Sequence, residues 1–440
     1  MVAAILSLDF DISQEATTFW EQAILPPLVS LMQSAGYSIT DQEHYVGFIN
    51  QFVVPSLGPR PKNAKTPTGT KIPHFDSFCN DDFTPAEISW NIAANKSTIR
   101  VGFEPIGIFA GTAKDPFNQI EPGVAISRLL RQHDRNSSTE VQLWELLKTH
   151  FHVASNNEVA SRMAPGDHKT SNTISFDLQG KWPSPKLYFY ATPISLLTDT
   201  STDDIITTAV TQLPLNLEPS FRYVRLFLEN EQHNHNSPRL ELLSVDAVCP
   251  TDARIKLYMR TKDTSFDRVK EIYTLKGALN GPEIDAGLNL IRLFYLHVLG
   301  ISAPGDNLPC CKHLTAGIGF NMEIMHNRPV PIPKVYIPIR HYGGTDLRIA
   351  QSLSNFFRAC GLQQAADNYL DALRNAFQNQ DFSDTIGRQT YAALSYNNNG
   401  PYVTIYYNLM TFSTGKERDE EGRLVGPAVR KPHHYFYSQL

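Results

Sequence analysis

The sequence predicts an α+β fold in which about ten antiparallel strands, arranged as five hairpins, close into one barrel with helices outside. Three observations carry this. Arg254-Ile-Lys256-Leu-Tyr258-Met-Arg260 alternates polar and apolar residues without a break, the period-two signature of a strand with one buried face. The pattern then recurs in Arg100-Val-Gly102-Phe-Glu104, Lys186-Leu-Tyr188-Phe-Tyr190, Lys334-Val-Tyr336 and Tyr402-Val-Thr404-Ile-Tyr406. Finally, each copy follows a second strand-like segment across a link of the Pro, Gly, Asn and Asp residues that suit hairpin connections. These partners are residues 87–92, 173–178, 240–248, 317–325 and 391–396. The anchors Arg100, Lys186, Lys256, Lys334 and Tyr402 fall about 70 to 90 residues apart, too far for a solenoid unit.

At 440 residues the chain exceeds an ordinary single domain. The repeat nevertheless predicts one closed unit over residues 1–415, with a charged and aromatic tail at 416–440 whose first part is expected to be disordered. Hydrophobic residues at 42% are ample for a core, and a net charge of −5 favours neither nucleic acid nor an anionic membrane surface. Met1 to Leu6 lacks the features of a signal peptide, and no apolar run reaches membrane-spanning length. The expectation is a soluble cytoplasmic protein, compatible with a homodimer. Five cysteines, with no Cys-x-x-Cys, argue against a disulfide framework and a structural zinc site.

Between the hairpins lie helical segments. Residues 17–35 read as a helix disturbed by Pro26-Pro27 and stopped by Gly36. Residues 45–57 are mostly apolar and end in the loop Gly58-Pro-Arg-Pro61. Residues 124–151 hold two helical stretches broken at Asn136-Ser-Ser138. Residues 203–213, 266–276 and 282–299 follow, and 347–377 reads as the longest helical stretch.

Eight strands already close a barrel that side chains fill, so about ten leave a lumen with room for a ligand. One cationic strand is most commonly an exposed face; five turned inward gather Arg100, Lys186, Arg254, Lys256 and Lys334 in one chamber. Desolvated cations that close require an anion, and a diphosphate suits both guanidinium forks and ammonium point charges. Neighbouring tyrosines supply hydroxyl donors and π faces that stabilise a carbocation, so the chamber suits prenyl chemistry. Magnesium motifs are absent: Asp81-Asp82 meets Pro85 and Asp203-Asp204 meets Thr207 where a third acid is needed. No P-loop, Gly-x-Gly-x-x-Gly or Gly-x-Ser-x-Gly occurs, and His150/His152 and His233/His235 lack a third ligand nearby. No metal or other cofactor is expected.

Glu87 in Thr84-Pro-Ala-Glu-Ile-Ser-Trp-Asn91, Arg100, Lys186-x-Tyr188, Arg254-x-Lys256-x-Tyr258, Lys334-x-Tyr336-x-Pro338 and Tyr402-x-x-x-Tyr406 together resemble the motif set of the fungal aromatic prenyltransferases, the dimethylallyltryptophan synthase family. The segment from Gly36-Tyr37 to Pro61 also resembles their N-terminal region, and the likeness runs from about Trp20 to Tyr407. The resemblance implies a prenyltransferase barrel of repeated α-β-β-α units with its active site in the lumen. It also implies prenyl transfer from an isoprenoid diphosphate to an aromatic small molecule in fungal secondary metabolism. By this resemblance Arg100, Lys186, Arg254, Lys256 and Lys334 bind diphosphate. Tyr188, Tyr258, Tyr336, Tyr402 and Tyr406 donate to it or shield the allylic cation, and Glu87 accepts the indole N–H. Thr173 and Tyr190 are assigned to the acceptor pocket. Some tryptophan C4-prenylating members carry a lysine where Thr173 stands, which counts against C4 prenylation of free tryptophan. The expected acceptor is therefore a polycyclic indole terpenoid or a cyclic dipeptide, with dimethylallyl diphosphate favoured over geranyl diphosphate. Two alternatives remain: the same chemistry on a phenolic or polyketide arene, and a non-catalytic barrel that carries an anion. Gly317 and Gly319 either leave space for a longer donor tail or mark a close backbone approach.

Overall fold

The structure, a computed structural model, describes residues 13–63, 71–94, 97–133, 139–153, 168–231, 236–378, 380–418 and 423–426. The break at 136–138, the His233/His235 pair, the first six residues and most of the tail lie outside these. Ten strands form the barrel: β1 (Ala86–Ala93), β2 (Ser97–Phe103), β3 (Asn172–Asp177), β4 (Pro185–Tyr190), β5 (Arg239–Asp246), β6 (Ile255–Thr261), β7 (Ile318–Ile324), β8 (Ile332–Ile337), β9 (Gln389–Asn397) and β10 (Gly400–Asn408). Every strand pairs antiparallel with its chain neighbours, and β10 closes on β1 with Tyr406 opposite Ser89. Closure leaves no exposed barrel edge.

Alternation sorts the side chains. Ile88, Val101, Phe176, Leu187, Val245, Leu257, Phe320, Val335, Leu394 and Ile405 point outward and are buried against the helices. The principal helices are α1 (Gln14–Ser34), α2 (Ile39–Phe52), α3 (Ile120–His133), α4 (Thr139–Phe151), α5 (Thr202–Thr211), α6 (Glu218–Glu231), α7 (Phe266–Tyr273), α8 (Pro282–Phe294), α9 (Asp346–Ala359) and α10 (Gln363–Ala376). Ser13, Ser38, Ser201, Ser265 and Thr345 cap their helices by accepting a first-turn N–H. The core is thus the shell between barrel and helices, so the lumen is free to be polar.

Three expectations need correction. Helix α1 runs unbroken through Pro26-Pro27, held by its buried face of Trp20, Ile24, Leu28 and Leu31. The stretch 347–377 is two helices, because Gly361 adopts a φ of 76° between α9 and α10. The described start of the tail is ordered: Arg418 and Lys416 pair with Asp384, and Arg418 bridges to Leu424.

Candidate active site

The inward parity of the strands builds the lumen, and register decides which charges meet. Arg100 on β2 lies opposite Asp177 on β3, Lys186 on β4 opposite Asp246 on β5, and Lys256 on β6 opposite Glu323 on β7. Each is a cross-strand pair of opposite charge. Side chains then bridge further. Asp177 accepts from Arg100 Nε at 2.6 Å and from Lys186, while Asp246 accepts from Arg254 at 2.5 Å and Lys256 at 3.0 Å. Arg254 also lies 3.7 Å from Glu323. Lys334 is the exception. It faces Asn321, bonds Thr404 Oγ1 at 3.4 Å and sits 4.7 Å from the Tyr402 ring centroid, with no carboxylate at ion-pair distance among the described residues.

All five expected cations line one cavity of about 250 Å³, together with Tyr188, Tyr258, Tyr336 and Tyr402. Burial and the cluster's own charge govern their protonation. Lys186 is pushed down to about 7, first by burial and then by Arg100, with Asp177 opposing. Lys334 falls well below the ordinary lysine range through burial and the charges of Arg100, Lys256 and Lys186. Burial alone would raise Asp177, but Arg100 and Lys186 outweigh it and hold the carboxylate ionised. A cluster with five cations and three carboxylates is short of negative charge, which a diphosphate would supply.

Tyr188, Tyr258, Tyr336 and Tyr406 form a belt across the lumen, with successive ring centroids 6.1, 5.7 and 6.3 Å apart. Beyond it lies a second cavity of about 190 Å³, lined by Glu87, Thr173, Tyr190, Leu242, Gly319 and Phe78 among others. Tyr406, grouped by sequence with the diphosphate residues, lines this side and not the cation chamber. Glu87 is raised to about 7 because burial outweighs the pull of Arg100 and Arg340. Its carboxylate occupies the space over Gly102, where a Cβ would stand 3.2 Å from Glu87 Oε1. Of the two paired glycines, Gly317 marks a backbone approach: its φ is 97°, and a Cβ there would meet Thr261 O at 2.2 Å. Gly319 lies in regular strand and leaves lumen space.

The far end of this cavity holds residues absent from the sequence assignment. Arg340 donates to Asp81, to Thr315 Oγ1 at 2.7 Å and to Thr390 O at 3.1 Å. Arg260 donates to Glu241 at 2.9 and 3.2 Å and to Thr315 O at 3.0 Å. Asp81, His313 and His341 lie close enough to share an ion. Arg340, however, already takes both carboxylate oxygens of Asp81, so the cluster suits no metal. Parity could have revealed Asp177 and Asp246, which share the inward faces of Ser175 and Ser244; the alternation already places Arg260 on the face of Lys256, although the sequence assignment leaves it out of the site. Asp81, Thr315 and Arg340 sit outside the strands and carry no periodic signal.

A closed ten-stranded barrel with a cation chamber, a tyrosine belt and a buried carboxylate beyond it defines a barrel prenyltransferase. The sequence profile described as tryptophan dimethylallyltransferase matches residues 16–372, and the chain belongs to that family of fungal indole prenyltransferases. It is 33% identical over 412 residues to a 7-dimethylallyltryptophan synthase of Aspergillus fumigatus, covering 91% of this chain and 86% of the relative. It is 30% identical to an indole diterpene prenyltransferase of Penicillium ochrochloron, covering 88% of this chain and 92% of that one. The crystal structure of AnaPT from Neosartorya fischeri superposes with a TM-score of 0.79 at 24% identity, over 93% of this chain and 98% of that chain. No helix among the described residues is long and apolar enough to cross a membrane.

Proposed function

We propose that this enzyme transfers a dimethylallyl group from its diphosphate to the ring of an indole-bearing small molecule, without a metal. One juxtaposition carries the reading: a cation-rich chamber opens, across four tyrosines, onto a cavity holding Glu87. Arg100, Lys186, Arg254, Lys256 and Lys334 take the leaving diphosphate as the allylic C–O bond breaks and its electron pair goes to oxygen. This is the charge that magnesium supplies in other prenyl-transfer sites. Tyr402 adds a hydroxyl at the chamber wall. Tyr188, Tyr258, Tyr336 and Tyr406 face the allylic cation with their rings and exclude water. Glu87 accepts the indole N–H, raising the electron density of the ring and stabilising the charge that develops on nitrogen as the new bond forms. Thr173 and Tyr190 shape the acceptor wall. The ring proton then passes to the released diphosphate or to water, and the C–H electron pair restores aromaticity.

The test is product mass and diphosphate release with dimethylallyl and geranyl diphosphate, against indoles and phenols, with and without EDTA. Prenylated indole formed at an undiminished rate in EDTA is the expected result. Dependence on added magnesium, or turnover of phenols alone, would overturn it. The relatives act, by their names, on a free amino acid in one case and an indole diterpene in another, so the acceptor has to be argued from this chain's own cavity.

A further inference from the structure

Charge varies along the lumen. The donor chamber has more cations than carboxylates, whereas the acceptor cavity is balanced, lined by Arg100, Arg260 and Arg340 and by Asp81, Glu87 and Glu241. Three cations line that cavity, and each already holds a carboxylate: Arg100 with Asp177 at 2.6 Å, Arg260 with Glu241 at 2.9 Å, and Arg340 with Asp81 at 2.9 Å through Nη2. Glu87 remains as an acid with no cation at ion-pair distance among the described residues. A fourth cation near the mouth, Lys262, gives its ammonium to the carbonyls of Leu314 and Ala316 at 3.3 and 2.9 Å. His313 and His341, behind Thr315, are held neutral chiefly by burial.

The Arg260–Glu241 pair depends on a local irregularity. Between Leu240 and Leu242 the register of β5 against β6 shifts by one residue. Leu242 lies opposite inward Tyr258, so strict alternation would turn Leu240 inward and Glu241 outward. The bulge reverses this: Leu240 pairs with outward Met259 and is fully buried in the core, and Glu241 turns into the lumen. There it accepts from Nε and Nη2 along one edge of the Arg260 guanidinium while Nη1 donates to Thr315 O, the bidentate geometry with which arginine would otherwise hold a carboxylate ligand.

We infer that the acceptor is an indole with no free carboxylate in the part that faces Arg260 and Arg340, and that Glu241 sets this preference by occupying the guanidinium that would bind one. The inference rests on the indole-transfer reading and narrows its substrate. An anionic acceptor would have to displace a covalently tethered carboxylate and then sit among Glu87, Glu241 and Asp81. A neutral amide-closed or polycyclic indole meets no such competition.

The test uses two indoles of equal shape, N-acetyl-L-tryptophanamide and N-acetyl-L-tryptophan, with dimethylallyl diphosphate as donor. The wild-type enzyme should favour the amide over the acid by about tenfold or more in kcat/KM, and Glu241→Gln should shrink that ratio by about tenfold. Calorimetric binding of the same pair with inorganic diphosphate present gives the ratio independently of turnover. An acid used or bound as well as the amide, or a ratio unmoved by Glu241→Gln, would overturn the proposal while leaving indole transfer standing. If neither compound binds and only phenols are prenylated, the indole reading itself has failed and the acceptor preference goes with it.

Discussion

Replacing Glu87 with Gln removes one charge and keeps the shape. The carboxylate is half-buried, faces the acceptor cavity and has no ion-pair partner among the described residues, so its charge is only partly screened. Two losses follow. A hydrogen bond to a charged acceptor contributes about 1.5–3 kcal/mol, and part of it remains with the neutral amide. As the indole attacks, positive charge spreads to its nitrogen; an anion about 4 Å away stabilises it by about 4 kcal/mol at an effective dielectric of 20, and this is lost entirely. Allowing for overlap between the two, kcat should fall by about 10²–10³. The donor KM should change little, because Glu87 lies across the tyrosine belt from the cations. The pH profile carries a second signature. Burial raises Glu87 to about 7, so the group gives up its charge, and with it the stabilisation of the developing positive charge, as pH falls through 7. The acid limb of wild-type kcat/KM should therefore lie near 7 and vanish in the glutamine variant. Initial rates of prenylated product from pH 5.5 to 9 measure both. A variant that keeps more than about half its rate, or keeps the acid limb, would refute the assigned role of Glu87.

On the donor side the sign is opposite: Lys186 at about 7 and Lys334 well below its ordinary range lose charge as pH rises, so the donor KM should climb by about tenfold between pH 7 and 9. Calorimetry with inorganic diphosphate in buffers of different ionisation enthalpy should show net proton uptake; proton release would contradict it. Asp177→Asn leaves Arg100 and Lys186 buried beside each other without their shared carboxylate, and should cost about 3–5 kcal/mol of stability. Saturating diphosphate should raise the melting temperature of that variant more than that of wild type; equal shifts would show that the carboxylate does not hold the two cations apart. Gly319→Met would place a side chain in the acceptor cavity beside Tyr336, whose Cβ lies 3.3 Å from a Cβ built at 319. Geranyl transfer should then drop about tenfold relative to dimethylallyl transfer, and an unchanged ratio would remove Gly319 from the determinants of donor length.

The barrel was legible because its strands bury one face and alternate strictly, so Lys186-x-Tyr188 and Arg254-x-Lys256-x-Tyr258 announce both strand and lumen at once. The cations were legible for the same reason. Their partners were harder to see. Asp177 and Asp246 each end a strand, where a solvated acid is also ordinary, and only register reveals that they stand opposite Arg100 and Lys186. Glu241 was hidden by the bulge, since counting by twos from Ser244 turns it outward. Asp81 and Arg340 meet across more than 250 residues of chain, a distance that no local pattern spans. Proline rules misjudged α1 because packing of its apolar face outweighs the local cost at Pro26-Pro27.

The placement of carboxylates also explains how a lumen this charged can exist before any substrate arrives. Arg100, Lys186, Arg254 and Lys256 each have a carboxylate within reach, so their positions are already set. Among the described residues Lys334 has Thr404, Asn321 across the ladder and two tyrosine faces, and no carboxylate at ion-pair distance. An arriving diphosphate therefore finds four side chains pre-arranged, and both Lys186 and Lys334 to recharge. Lys334 lies on the strand that also carries Tyr336 of the belt. Under the proposed roles, leaving-group binding and shielding of the cation are joined on β8 by Lys334 and Tyr336, two residues apart on one face. The same Lys-x-Tyr spacing recurs at Lys186-x-Tyr188 and Lys256-x-Tyr258, so three of the five hairpins present a cation and a ring side by side on the inward face.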